Sequence, residues 1–549
     1  MRGRQVFMDS LVAHGVDAVF GNPGTTENPL LDCLIDYPQL TYYVALQESI
    51  AMCAAAFYAK AKGTPSVVNL HVAPGLGNAI GMIFGALKAN SPVLVTAGQQ
   101  DTRMRLRDPL LSYDLVEMAK PVTKWAAEPR TADELGPMLA RAFKIAMTPP
   151  RGPVFVSLPV DVMSNETSIT AATAGADLVP PLANSNDIER IAQALAGAQN
   201  PAIVAGDDVT VFGGYESLVS IAEASGAAVY QEGIPAHSNF PSRHPNYQGR
   251  MPFFATAIQE RFAPYDVVLL VGGQFFEEIW YDDVPMIPPN TRVMQIEATQ
   301  ARLAHMFRVD IGIAADINGT LAALADAVSG SPAAAARNTA FAAAQARSRD
   351  KIGATVQASW DNSPMTPARA MRELAAALPP DVIVADESIT GSGEVANAIE
   401  FKAPHTYYGG RGGGIGQGIA GALGIQAAYP DQPVVCLTGD GSAMYSIQAL
   451  WTAAHHELPI VFVVWANREY RVLKHNLDIY RTRYAAATNN PYPHMDLTGP
   501  VLDFVTLAQG HGVDGKRIEK PDEIGAAVKA AFAAKKPYLL EIVIAGKQG

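Results

Sequence analysis

The sequence predicts an α/β protein made of three doubly wound parallel-sheet domains. Short runs rich in Val, Ile and Leu recur with little alternation, the pattern of strands buried on both faces. Ala-rich segments of helical length lie between them, as crossover connections between parallel strands require. A chain of 549 residues is long enough for three or four domains, each with its own core.

The N-terminal "MRGRQVFMDSLVAHG" reads as an amphipathic helix with no cleavage signal after it. The strand candidates follow as "SVVNLH" 66–71, "SPVLVTAG" 91–98, "GPVFVSLP" 152–159, "PAIVAG" 201–206, "DVVLLVGG" 266–273, "VIVADES" 382–388, "PVVCLTGD" 433–440, "PIVFVVWAN" 459–467 and "YLLEIVIA" 538–545. Two stretches change composition and are expected as domain connections. Residues 164–187 are small and polar with a Pro pair, and 328–366 are Ala-rich, with Ser and Pro at both ends and a helix between. The cuts give domains at 1–165, 185–330 and 360–549.

Hydrophobic residues make up 49% and charged residues 17%, which suits a well-buried globular protein. A net charge of −12 argues against nucleic acid as a partner, because a phosphate backbone needs a basic surface. Cys33, Cys53 and Cys436 are too few and too scattered for a disulfide framework or a CxxC metal site, so they are expected as buried thiols. No apolar run reaches the length of a membrane span, and a cytoplasmic enzyme is expected.

The stretch "LTGDGSAMY" 437–445 places Asp440 between two glycines at the end of a strand. That is the carboxyl edge of a parallel sheet, where open α/β folds bind ligands. Glycines let the backbone approach a bulky ligand. The following "SAMYSIQALWTAAHH" reads as a helix whose N-terminal amides, with Ser442 near the cap, suit an anion. Asn467 ends the next strand at the same edge, so Asp440 and Asn467 together suit one Mg2+ that also holds phosphate oxygens. The plainer reading is a tight turn with an Asx turn.

Three other positions carry chemistry. Glu48 follows the apolar "YYVAL" and opens a helix of small residues, where a carboxylate is desolvated or simply complements the helix dipole. His71 ends the strand "SVVNLH", either as a structural histidine or as a group that handles protons. "FGNPGTTE" is a loop after a strand, with Thr26 or Thr25 offering a hydroxyl, or a plain turn. In "YYGGRGGGIGQGIAGALG" 407–424, Gly416, Gly418 and Gly421 match GxGxxG, but they follow a glycine-rich loop and not a clear strand.

The segment "GDGSAMYSIQALWTAAHHELPIVFVVWAN" 439–467 resembles the diphosphate and metal motif of the thiamine-diphosphate enzymes. "VFGNPGTTE" 19–27, "ALQES" 45–49, "NLHVAPGLGNAIG" 69–81, "VTAGQQ" 95–100, "PSRHPNYQGRMP" 241–252 and "GDGSAMYSIQALWTAA" 439–454 are similar to the benzoylformate decarboxylases of that family, within the acetolactate synthase-like superfamily. The resemblance spans nearly the whole chain. It implies a pyrimidine-binding, a central and a diphosphate-binding domain, with thiamine diphosphate and Mg2+ as cofactors.

It also implies roles. Glu48 hydrogen-bonds the aminopyrimidine ring and promotes the tautomer that frees the reactive carbon, and the cofactor then serves as nucleophile and electron sink. His71 moves protons, Thr26 holds the substrate carboxylate, and Asn78 supports the loop. The Gly413 carbonyl takes the aminopyrimidine amine, and Ile415 is the wedge that keeps the cofactor bent. Thr390, Gly439, Gly441, Ser442 and Tyr470 hold the cofactor with Asp440 and Asn467, and Asp440, Asn467 and Glu469 hold the metal.

The implied reaction is the non-oxidative decarboxylation of a 2-oxo acid to an aldehyde, with carboligation as a side activity. An acetolactate synthase-type carboligase and a 2-hydroxyacyl-CoA lyase are the alternatives; acetolactate synthases lack a His at the place of His71. In the resembling enzymes Glu48 reaches the cofactor of another subunit, which implies a homodimer at least and a homotetramer as its pairing. The partner is a small 2-oxo acid, with neither nucleic acid nor membrane. The chain departs from the pattern where a second active-site His is expected, near "GGQFFEEIWYDD" 272–283, since Ile279 stands there by position. Pocket aromatics are likewise replaced near Gly409 and Asn476. Arg468, Arg471, Lys474 and His475 instead make the segment after Asn467 basic, as a solvated helix face or as an attractor for an anionic or larger substrate.

Overall fold

The computed structural model describes residues 1–169, 171, 180–484, 488 and 490–546. All nine runs expected as strands are strands, and the chain folds into three α/β sheets. It divides into two compact units: Met1–Ala176, Trp360–Ala398 and Gly410–Gly549 form one, and Asp177–Ser359 with Ile399–Gly409 form the other.

The first unit opens with helix Gly3–Ala13. Its first sheet contains β1 (Ala18–Gly21), β2 (Thr41–Val44), β3 (Ser66–Leu70), β4 (Val93–Gln99), β5 (Ala126–Ala127) and β6 (Val154–Pro159), in the order β2-β1-β3-β4-β6-β5 with every pair parallel. Phe7, Met8 and Leu11 of the N-terminal helix bury their side chains against Val67, Leu94, Val154 and Val156. Each such apolar side chain contributes about 1.5–3 kcal/mol on leaving water.

The second unit carries β7 (Pro201–Ala205), β8 (Ala228–Gln231), β9 (Tyr247–Arg250), β10 (Val267–Val271), β11 (Arg292–Glu297) and β12 (Ile311–Ala314), in the order β12-β11-β10-β7-β8-β9. Ile203 and Leu269 face one apolar layer, while Val204 and Leu270 face the other, so burial on both faces explains the unbroken apolar runs. The connection expected over 328–366 holds helix Pro332–Ala358, started by Pro332 and capped by the Ser331 hydroxyl. The connection expected over 164–187 lies in part outside the described residues.

The rest of the chain adds β13 (Ile383–Glu387), β14 (Tyr407–Gly409), which groups with the second unit, and then β15 (Val434–Gly439), β16 (Ile460–Ala466), β17 (Asp514–Ile518) and β18 (Tyr538–Val543). Within the first unit these run parallel as β13-β15-β16-β18-β17. Helices Glu48–Lys62 and Gln417–Ala428 are buried almost all round. They meet at small residues: a Cβ on Gly421 would come within 2.8 Å of the Phe57 ring, and one on Gly424 would strike the Ala54 carbonyl.

One helix expectation is corrected. "SAMYSIQALWTAAHH" is not continuous: it forms Asp440–Ala443 and Ala449–His455, joined by turns. The joint is closed by three-residue hydrogen bonds such as Ser446 N to Ala443 O and Ala449 N to Ser446 O. At the break the Ser446 hydroxyl donates to the Gly416 carbonyl at 2.8 Å, a tertiary bond that outweighs local helix propensity.

Candidate active site

β15 and β16 pair in parallel with Gly439 opposite Trp465, so Asp440 and Asn467 leave the sheet side by side. Asp440 is 4% exposed. Its Oδ1 accepts the Gly441 N–H at 2.8 Å and its Oδ2 the Arg468 N–H at 2.6 Å. The Asn467 Oδ1 accepts the Glu469 N–H at 3.0 Å. Arg468 between them has φ +58°, which folds the chain back so that both side-chain oxygens serve one turn. Burial pushes the Asp440 carboxyl up to about 6 against the N–H donors that hold it down. A cation placed there would relieve that cost.

A Cβ on Gly441 would come within 2.6 Å of the Tyr470 ring, so that position has no room for a side chain, while Gly439 leaves open space where its Cβ would stand. Ser442 is buried in the short helix that follows. Thr390 is exposed in the turn Ile389–Gly391 after β13. Gly413 has φ +70° with open space around it, and Ile415 is half-buried.

The basic segment after Asn467 is solvated at His475, which is exposed, and in part at Arg468 and Arg471, but not at Lys474. Helix Arg471–Arg483 buries Lys474, whose ammonium donates to the Glu469 carboxylate and, at 2.6 Å, to Asp496. The Glu469 side chain is thereby committed to Lys474, with Arg471 at 3.9 Å. Among the described residues no group of three or more His, Cys, Asp or Glu side chains could hold a metal, so an ion here depends on Asp440, amide and main-chain oxygens, and the ligand itself.

Glu48 is the first residue of its helix, and the Gln47 side chain caps that helix by accepting from Ser49 and Ile50 N–H. The Glu48 carboxylate is therefore free of capping work. It is 8% exposed, and it accepts the side-chain amides of Asn22 at 3.2 Å on Oε1 and Asn78 at 3.0 Å on Oε2. Asn78 thus supports Glu48 itself.

His71 stands at the end of β3, and its Nδ1 lies 2.8 Å from Glu27 Oε2. Glu27 is 2% exposed; Oε2 also accepts Gly24 N–H at 2.8 Å, while Oε1 accepts Gly98 N–H and the Thr26 hydroxyl, both at 2.9 Å. A carboxylate receiving so many donors stays an acceptor, so Nδ1 carries the proton and Nε2 is left for exchange. A Cβ on Gly24 would strike the His71 ring, and one on Gly98 would strike Glu27 and Thr26. Gly75 is the common neighbour of Glu48 and His71, with its Cβ position 3.2 Å from Glu48 Oε1 and 3.5 Å from His71 Cβ. Thr26 and the exposed Thr25 also line a cleft of about 730 Å³ together with Arg4 and Gln100.

Sequence reasoning missed Glu27. "GTTE" reads as a helix start with an acid in the capping position, and Glu27 does take the Gly24 N–H. The signals available were Gly24 and Gly98, two side-chain-free positions around one acid.

The GxGxxG match has another explanation. The amides of Gly416, Gln417 and Gly418, which would cradle a pyrophosphate, are occupied by the Glu387 carboxylate at 2.7–3.1 Å.

Three family descriptions match the chain: "Thiamine pyrophosphate enzyme, N-terminal TPP binding domain" over residues 1–118, the central domain over 188–324, and the C-terminal TPP binding domain over 390–542. Benzoylformate decarboxylase of Pseudomonas aeruginosa is 30% identical over 537 residues, 96% of each chain. The chain belongs to the thiamine pyrophosphate enzymes. Acetolactate synthase isozyme 2 large subunit of Escherichia coli is 26% identical over 557 residues, 99% of this chain and 96% of that one. A solved structure of a thiamine diphosphate-dependent 4-hydroxybenzoylformate decarboxylase from Rhodococcus jostii superposes with a TM-score of 0.87 at 28% identity, covering all of both chains.

As a thiamine pyrophosphate enzyme the chain has residues that fit its cofactor. A desolvated carboxylate, a neighbouring amide oxygen and glycines with no Cβ to obstruct a diphosphate lie at one sheet edge. The departures from the decarboxylase pattern also have places. Ile279 is 57% exposed in the second unit, and Gly409 N–H donates to Ala236 O in that same unit. Asn476 is half-buried on helix Arg471–Arg483. Among the described residues no helix is long and apolar enough to cross a membrane.

Proposed function

We propose that this thiamine pyrophosphate enzyme decarboxylates a 2-oxo acid to an aldehyde, with Mg2+ as its metal. The observation that carries the proposal is the buried Glu27 carboxylate on His71 Nδ1, which leaves Nε2 to move protons at the substrate. Bound thiamine diphosphate supplies a nucleophilic carbon and an electron sink.

Glu48, oriented by Asn22 and Asn78, exchanges a proton with the aminopyrimidine ring. Asp440, Asn467 and an oxygen of Glu469 hold the metal. Gly439, Gly441, Ser442, Thr390 and Tyr470 hold the cofactor, and Gly413 and Ile415 hold its ring. Thr26, whose hydroxyl donates to Glu27 Oε1 and lies 3.4 Å from His71 Nδ1, would hold the substrate carboxylate by turning that one proton from Glu27 to the substrate. We take the working domains as 1–165, 185–330 and 360–549 and the working form as a homodimer or homotetramer. Three buried free cysteines support a reducing, cytoplasmic compartment.

A second reading, carboligation of the acetolactate synthase type or 2-hydroxyacyl-CoA lysis, is favoured by the likeness to acetolactate synthase and by Asn476 standing where an aromatic side chain is expected. Turnover of a panel of 2-oxo acids by wild type and Glu48→Gln, with thiamine diphosphate and Mg2+, tests the first reading. Release of CO2 and aldehyde from one acid, lost in the variant, is expected. Acetolactate from pyruvate without aldehyde would favour the second reading.

A further inference from the structure

Glu387 ends β13 and is 7% exposed, and none of the chemistry above uses it. Its Oε1 accepts the N–H groups of Gly416 at 2.8 Å and Gln417 at 3.1 Å, and its Oε2 that of Gly418 at 2.7 Å. These amides open the twelve-residue helix Gln417–Ala428, whose positive end would otherwise receive an anion from solution. Burial pushes Glu387 up to about 7 while the three amides pull it the other way.

The turn is built around this contact. Gly416 has φ +94°, and a Cβ on Gly418 would come within 2.8 Å of Glu387 Cβ. The Gln417 side-chain amide then donates to the carbonyls of Arg411 at 2.9 Å and Gly414 at 2.7 Å. The loop carrying Gly413 therefore hangs from the side chain of Gln417, and Glu387 anchors the backbone of that same residue.

We propose that Glu387 is a positioning residue for the pyrimidine end of thiamine diphosphate. By holding Gly416–Gly418 it sets the place of Gly413 and Ile415, while the diphosphate end depends on Asp440 and Asn467. This rests on the roles given above to Gly413 and Ile415. A Gln at 387 keeps the volume and one acceptor oxygen but loses the charge and turns its amide NH2 toward at least one of the three N–H groups, so the anchor weakens without a cavity forming.

The test is titration calorimetry of the full chain with two probes, thiamine diphosphate and inorganic pyrophosphate, each with Mg2+. Glu387→Gln is expected to weaken thiamine diphosphate about tenfold or more while pyrophosphate changes less than about twofold, the loss of charge-assisted bonds at one end only. Unchanged thiamine diphosphate binding, or equal loss for both probes, would overturn the proposal. A wild type that binds no thiamine diphosphate would sink the functional reading, and this one with it. Should the variant not fold, amide exchange in cofactor-free wild type decides. Slow exchange at Gly416–Gly418 supports a turn preset by Glu387, and fast exchange there overturns it.

Discussion

Glu27 and His71 form a buried pair whose geometry is over-determined. One carboxylate oxygen is shared by Gly24 N–H and His71 Nδ1, the other by Gly98 N–H and the Thr26 hydroxyl. Four donors from the loop after β1, the end of β3 and the end of β4 thus fix one carboxylate. The imidazole has no freedom to change tautomer without leaving Glu27 short of a partner.

Replacing Glu27 with Gln therefore disturbs proton transfer and not cofactor binding. We expect kcat to fall about tenfold to a hundredfold, the worth of a charged hydrogen bond, with the Kd for thiamine diphosphate unchanged. Steady-state rates beside a binding titration check this. A weaker Kd with an intact kcat would refute it.

Asp440→Ala should abolish the stabilisation that thiamine diphosphate and Mg2+ give together. For wild type, ligand at 100 times its Kd adds about 2.7 kcal/mol. Thermal melts with and without both ligands, and after EDTA, read this directly. The rise in Tm is expected to vanish in the variant and, on chelation, in wild type.

Lys474→Met should destabilise the fold by about 3 kcal/mol, because it leaves the buried Glu469 carboxylate without its close cation. Asp496→Asn should cost less than about 1 kcal/mol, since that side chain is 59% exposed. Urea midpoints compare the two, and the double variant Lys474→Met/Glu469→Gln should recover most of the loss.

The second unit should respond to pH through Glu297. Burial first, and then the neighbouring Asp208 carboxylate, push it up to about 8, while the Arg302 guanidinium, Gln295 and the Gly273 N–H pull it down. The native state therefore keeps a proton that the unfolded chain releases above its ordinary value of 4.5. The stabilisation is full below that value and is lost as pH rises through about 8. Glu297→Gln should gain on wild type between pH 5 and pH 8, as followed by urea unfolding; a constant difference would refute the assignment.

The strands were legible where burial on two faces leaves an unbroken apolar run, as at Val434–Gly439 and Ile460–Ala466. They were not legible at edges. Tyr247–Arg250 and Asp514–Ile518 pair on one side only and have no unbroken apolar run to mark them as strands. Asp440, Asn467 and Glu48 could be picked out because each sits where a strand ends or a helix begins. Lys474 could not be read correctly, because the Asp496 that helps neutralise it lies 22 residues on, across a loop. The break after Ala443 was invisible for the same reason: the acceptor of Ser446, Gly416, is 30 residues upstream.

Gly24, Gly75 and Gly98 wall the Glu27–His71–Glu48 cluster without presenting a side chain to it. For evolution or for a protein engineer that wall is closed ground. A saturation library at Gly24 or Gly98 should return glycine alone, because the smallest substituent would displace the imidazole or the carboxylate. New substrate preferences must be cut from surfaces that already carry side chains. Drift in what this enzyme accepts is thereby channelled away from the Glu27–His71–Glu48 cluster, which is inherited unchanged.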